Sequence, residues 1–176
     1  MLSETNKTVS RRFFDEVWNR GNLAVLDEII VKDHVNSGPG TIPGLPNGPE
    51  GSKQFVTAYR NAFPDVHFTI DDQIAEGDKV MTRWTAQGTH QGERVGLPAT
   101  GKSSMVTGIT VNRLVDGKID ESWGIFDEFG MMQQLGAIPM PELAKQSLAR
   151  RFIVGLFFYA ATLRSTPLGT PKTMEI

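Results

Sequence analysis

The chain has no cysteine, only three histidines, no block of like charge and no long hydrophobic run. Each absence excludes something. Without cysteine there are no disulfides, zinc–thiolate centres or thiol nucleophiles, and no dependence on an oxidising compartment. His34, His67 and His90 stand far apart with no paired ligand spacing, so no metal site is expected. Eighteen Lys+Arg against twenty Asp+Glu leave a net charge of −2, without the basic stripe of a nucleic-acid platform. Glu4, Lys7, Arg11, Arg12, Asp15 and Glu16 interrupt the first nineteen residues, so no signal-peptide core can be drawn there. The longest nearly continuous apolar run, Phe152 to Ala161, would rise only about 15 Å as a helix, against about 30 Å of hydrocarbon. The expectation is a soluble, cytoplasmic protein with no nucleic-acid partner and no stable membrane insertion.

What is present suffices for a core. The 176 residues are 39% hydrophobic and 22% charged, which fits one domain with an appendage. Ser3 to Asn19 has helical periodicity (Val9, Phe13, Val17, with Phe14 and Trp18 beside them), and Gly21 is its expected stop. Leu23 to Ile30 reads as a short second helix. Residues 37 to 51, rich in Gly and Pro, read as a long loop of the kind that often covers a site. Glu50 to Phe63 returns to helix, with Phe55, Tyr59 and Phe63 four apart. From residue 66 the period changes to two. Strands are expected over 66–75, 79–90, 104–115 and 118–127, joined by Glu76-Gly77-Asp78 and Asp116-Gly117 hairpins. Helices followed by an antiparallel meander give an α+β class. Residues 142–163 read as a further helix, apolar all round. Burial against a partner subunit is its favoured explanation, ahead of intramolecular packing or attachment to a membrane surface beside Arg150, Arg151 and Arg164. The division is thus 1–140 for the main domain and 141–176 for an apolar helix and tail.

Gly96-Leu97-Pro98-Ala99-Thr100-Gly101-Lys102-Ser103 matches a phosphate-binding loop letter for letter. Such a loop must deliver its backbone N–H groups into a helix. The residues that follow, Ser104 to Val111, alternate as a strand, so nucleotide hydrolysis is not expected.

Two strand rows carry the candidate chemistry. Alternation over 118–127 puts Ile119, Glu121, Trp123, Ile125 and Asp127 on one face. If that face lines a cavity, desolvation raises the Asp127 pKa and makes the carboxyl a general acid/base near neutrality. The alternative for Asp127 is capping a helix that begins at Glu128. Alternation over 79–90 puts Val80, Thr82, Trp84, Ala86, Gly88 and His90 together, with Trp84 as an apolar wall and His90 as a hydrogen-bonding group at one end, either toward a carbonyl or as a structural bond.

These and other pieces stand in a familiar order: Val17-Trp18-Asn19-Arg20-Gly21-Asn22-Leu23, Phe63-Pro64-Asp65, Glu76-Gly77-Asp78-Lys79-Val80 with Arg83-Trp84, Gly88-Thr89-His90-Gln91-Gly92, Gly96 to Lys102, Asp116-Gly117-Lys118-Ile119, and Trp123 with Asp127, Gly130, Gln134, Leu135 and Gly136. From about Phe13 to Gly136 the chain resembles the SnoaL-like polyketide cyclases, or ester cyclases, of the nuclear transport factor two-like superfamily. The resemblance implies a cone-shaped α+β barrel, a curved antiparallel sheet wrapped by N-terminal helices around a deep apolar cavity. It implies ring closure of a polyketide-like small molecule by intramolecular aldol chemistry, without metal or cofactor. It also implies Asp127 as general acid/base, with His90 and Asn36 as polar pocket groups. Tyr59, Trp84, Trp123 and Ile125 complete the expected substrate contacts, and a homo-oligomer (dimer or tetramer) is expected. The family often has Asn-His where this chain has Asn36-Ser37, and a histidine before the tryptophan where this chain has Ser122. Epoxide hydrolysis or dehydration on the same scaffold, and a non-catalytic binding module, are the alternatives.

Overall fold

The computed structural model describes residues 2–94 and 96–139. The apolar helix expected over 142–163, and the whole 141–176 unit, lie outside the described residues. The chain opens with helix α1 (Leu2–Arg12), which continues as a π-helical segment, Phe13–Asn19. The wider π turn brings residues five apart onto one side, and Phe13 meets Trp18 edge-to-face at 6.3 Å between ring centroids. Gly21, at φ 70°, ends this layer in the left-handed conformation, with Asn22 N–H reaching back to Glu16 O. The Asn19 amide then ties it to the sheet, donating to Phe68 O (2.9 Å) and accepting from Phe68 N–H (2.7 Å).

Helix α2 (Val25–Ile29) leads directly into strand β1 (Ile30–Ser37), and helix α3 (Gly48–Ala62) follows the Gly/Pro loop. The meander is β2 (His67–Glu76), β3 (Lys79–Thr89), β4 (Ser103–Val115) and β5 (Lys118–Phe126), closed by helix α4 (Glu128–Leu135). The strand order is β1-β5-β4-β3-β2. The α+β architecture with a curved sheet and an N-terminal helical layer is therefore present, with one difference: β1 adds to the edge of β5 in parallel, so the sheet is mixed. The segment Gly96 to Lys102 precedes a strand and forms no helix N-terminus.

Two bulges set the curvature. Asp71 is extra in β2, because Ile70 pairs with Trp84 and Asp72 with Arg83. Asp120 is extra in β5, because Ile119 pairs with Leu114 and Glu121 with Arg113. A bulge bends its strand and increases the local twist. Each of these aspartates is held by an arginine of the neighbouring strand: Asp71 by Arg83 at 3.5 Å, and Asp120 by Arg113.

The core lies between the concave face and the helices and includes Phe14, Val17, Trp18, Leu26, Ile29, Val56, Val80, Trp84 and Ile119. Trp84 crosses over its paired residue Gly108, where any Cβ would lie 2.4 Å from the indole. Overfilling a packed site costs about 1–3 kcal/mol. Gly108→Val is therefore expected to lower unfolding free energy by at least that much in urea denaturation, whereas Gly117→Ala, in an open turn, is expected to cost less than Gly108→Val.

Candidate active site

Helices and sheet enclose an apolar cavity of about 130 Å³. Its wall is aromatic: Phe13, Phe14 and Trp18 come from the N-terminal layer, Phe55 and Tyr59 from α3, and Phe68, Trp84 and Phe126 from the sheet. The rings brace one another, with Trp18–Phe68 at 4.8 Å, Phe68–Trp84 at 4.9 Å and Phe55–Tyr59 at 4.9 Å between centroids. The indole N–H of Trp84 is satisfied by Thr110 Oγ1 at 3.0 Å, so this wall offers a ligand apolar surface and no unmet donor.

A cluster of polar side chains enters the cavity from β1, β5 and α3, while Gln87, Ser104 and Thr110 line it from β3 and β4. His34, Asn36, Ser52 and Ser122 line the cavity, and the first three also line a recess of about 240 Å³ under the Thr41–Gly48 loop. His34, fourth in the sequence of β1 after Ile30, is buried; its Nε2 meets Ser122 Oγ at 2.9 Å and its Nδ1 meets Ser52 Oγ at 3.4 Å. Ser122 donates to Asn112 Oδ1 at 2.9 Å, and Asn112 Nδ2 donates to Ser10 Oγ at 3.3 Å. Burial pushes the His34 pKa down to about 4, only partly opposed by the carboxylates of Asp120 and Glu121. The imidazole is neutral near pH 7. No carboxylate lines the cavity among the described residues; His34 and Tyr59 are the ionisable groups there.

The structure departs from the expected rows in β5 and at the end of β3. Asp120, as the extra residue, inverts the alternation after Ile119, so Ser122, Gly124 and Phe126 face the cavity. Trp123 is 42% exposed, paired with Val111 on the outer face, and forms no part of the cavity wall. Ile125 has the outward parity of Trp123 and is 44% exposed, yet it borders the cavity. Asp127 is exposed and caps α4, its Oδ1 accepting from Gly130 N–H at 2.8 Å. The expected placement of Asp127 inside an apolar hollow is corrected: its carboxylate is a helix cap outside the cavity wall. In β3 the expected alternation holds for Val80, Thr82, Trp84 and Ala86, all buried. His90, however, lies past the strand end at Thr89 and does not reach the cavity wall. Its backbone pairs with Lys102 O and Gly101 N–H, its Nδ1 contacts Thr100 Oγ1 at 3.2 Å, and its ring packs on Phe63. Burial, followed by the nearby Arg94 charge, lowers its pKa. His90 thus pins the loop between β3 and β4.

Asn36, Tyr59 and Trp84 do line the cavity. Tyr59 has a partner that the sequence did not reveal. Arg94 lies over its ring, 4.4 Å from the centroid, donates to its hydroxyl at 2.6 Å and pairs with Glu128 at 3.0 Å. This joins α3, the β3–β4 loop and α4. His34 stands four residues after Ile30, a helical spacing that gives no strand alternation to place it on the cavity wall.

The family model for SnoaL-like polyketide cyclases matches residues 8–135. Aklanonic acid methyl ester cyclase DauD of Streptomyces sp. (strain C5) is 33% identical over 131 residues, 72% of this chain and 80% of that protein. Nogalonic acid methyl ester cyclase of Streptomyces nogalater is 32% identical over 127 residues, 71% of this chain and 92% of that one. Among solved structures, IdmH of Streptomyces antibioticus superimposes with a TM-score of 0.65 at 35% identity, covering 74% of this chain and 98% of its own.

Two measurements test the placements. Removing a side-chain cap costs about 0.5–2 kcal/mol, whereas Asn caps about as well as Asp. Asp127→Ala is expected to lose stability in that range in chemical denaturation and Asp127→Asn to retain nearly all of it. For His34, the folded pKa lies below the unfolded value of about 6.5, so the stability contributed by the neutral form is present above that pH and is lost as pH falls towards 4. The full loss is on the order of 3 kcal/mol. Melting curves between pH 7 and pH 4 should show it, and His34→Gln should flatten this part of the dependence.

Proposed function

The chain belongs to the SnoaL-like polyketide cyclase family, and on that premise we propose that it closes a ring in a polyketide-like, mostly apolar, oxygenated small molecule by an intramolecular aldol reaction without a cofactor. The observation that carries this reading is the chemistry of the cavity: aromatic rings contributed by both the helices and the sheet, with His34, Asn36, Ser52 and Ser122 as a polar cluster among them. Aromatic walls hold a flexible chain folded, which converts the meeting of two carbonyl-bearing segments into a near-unimolecular event. Polar groups fixed in a water-poor site stabilise developing enolate and alkoxide charge better than water does. Asp127, the general acid/base that the family resemblance implies, caps α4 one residue beyond Phe126 of the cavity wall.

Aldol ring closure isomerises its substrate, whereas epoxide opening adds water and dehydration removes it. Incubation with aklanonic acid methyl ester, followed by chromatography and mass spectrometry, is expected to give a new species of unchanged mass. A product differing by one water would contradict aldol closure. Trp84→Ala is expected to raise KM and cost about 3–5 kcal/mol of stability, as loss of a buried aromatic does.

A further inference from the structure

Only 8% of the Arg94 side chain is exposed, and its Nε is buried with no hydrogen-bond partner among the described residues. A guanidinium taken this far from water needs partners for its charge. Both come through Nη2, which has two hydrogens: one goes to the Tyr59 hydroxyl oxygen at 2.6 Å and the other to Glu128 Oε1 at 3.0 Å. The hydroxyl oxygen thus accepts from Arg94, and its own hydrogen must point elsewhere. Gly40 O is its protein acceptor among the described residues, at the long distance of 3.4 Å. Tyr59 and Gly40 line the cavity and Arg94 does not, so the guanidinium stands behind the hydroxyl and directs its hydrogen to the cavity side. Gly40 also lies against Phe126, where a Cβ would come within 2.8 Å of the ring, and Tyr59 meets the same ring at 6.4 Å between centroids. The pair therefore packs on the residue that precedes Asp127.

We propose that the Tyr59 hydroxyl is the hydrogen-bond donor to the substrate carbonyl oxygen that gains negative charge during ring closure, and that Arg94 is a positioning residue that orients and polarises it. The assignment rests on the cyclase reading. A hydroxyl that accepts from a cation is a stronger donor, because each hydrogen bond in such a chain polarises the next. Burial, only partly opposed by the Arg94 charge, holds the Tyr59 pKa above its ordinary value, and Glu128 adds to the rise. The phenol is therefore neutral near pH 7 and keeps its proton throughout. Developing enolate or alkoxide charge is met by a fixed dipole in a water-poor site. Proton removal is a separate task, for which the family resemblance implies Asp127. Glu128, the next residue, holds the second Nη2 hydrogen of Arg94, which ties the orientation of the donor to the junction of β5 and α4.

The test has two readouts on the full chain. Its two tyrosines are Tyr59 and Tyr159, so labelling with 3-fluorotyrosine gives two 19F signals, and Tyr59→Phe identifies the one from Tyr59. A neighbouring opposite charge moves a pKa by about 1–3 units, so in Arg94→Met the Tyr59 signal is expected to titrate at least about one pH unit higher than in the unsubstituted protein. An unchanged titration overturns the proposal whatever the substrate. The second readout is turnover of aklanonic acid methyl ester. Removing one preorganised donor costs about 10²–10³-fold in kcat, so Tyr59→Phe should lower kcat by about 100-fold or more with KM little changed. Arg94→Met should lower kcat to an intermediate degree, and Arg94→Lys should recover part of that loss. The double variant should be no slower than Tyr59→Phe alone, because Arg94 acts through the hydroxyl. Full activity in a folded Tyr59→Phe variant, or losses that multiply in the double variant, overturn the assignment. A lack of turnover in the unsubstituted protein counts against the substrate reading, and the fluorine titration still decides on the Arg94–Tyr59 pair.

Discussion

One inserted residue decides what this protein presents to its cavity. Without Asp120, β5 would keep a strict period of two and direct Trp123, Ile125 and Asp127 inward after Ile119. With it, Ile119 and Ser122 both face in although they stand three positions apart, and every later side chain changes face. The Arg113 pairing to Asp120 and Glu121 holds the bulge on the outer surface, where the extra carboxylate stays near solvent. The consequence is chemical as well as geometric. A row with an indole and a carboxylate is exchanged for one of Ser122, Gly124 and Phe126, which meets the polar side chains of the neighbouring strand.

That neighbouring strand is β1, whose parallel pairing to β5 sets Asn36 beside Ser122 and brings His34 within hydrogen-bonding distance of it. A lone buried imidazole would leave two polar atoms unmet at a cost of about 1–3 kcal/mol each. Here each nitrogen has a hydroxyl partner, and the chain continues through an asparagine amide to a helix on the opposite side of the core. The low dielectric that raises the cost of the imidazolium also strengthens each of these hydrogen bonds. A neutral, oriented ring in the polar cluster of an aromatic hollow follows from the same burial that builds the core.

Much of this fold is legible in the amino-acid order. The change of period at residue 66, the two glycine hairpins and the aromatic stripes of the N-terminal helices led directly to the meander and its helical cover. Strand β1 was not legible. Its buried residues, Ile30 and His34, are four apart, a helical spacing, and an irregularity in its pairing with β5 removes the alternation that would identify a strand. The cavity walls Tyr59 and Trp84 followed from periodicity because α3 and most of β3 are regular. Asp127, Trp123 and His90 did not follow, for two separate reasons: a bulge has no dependable signature in a single sequence, and parity has no meaning past the end of a strand. The matching letters of the 96–103 segment show the same limit, since a phosphate-binding loop is defined by the helix that follows it and here a strand follows.

The inversion of β5 can be measured directly, because the chain contains no cysteine and any introduced thiol reports alone. Single substitutions Ser122→Cys, Trp123→Cys, Phe126→Cys and Asp127→Cys would be reacted with a small maleimide under native conditions. The account predicts rapid modification at 123 and 127 and strong protection at 122 and 126. Protection at 123 and 127 with ready labelling at 122 and 126 would contradict it and return the carboxylate to the interior.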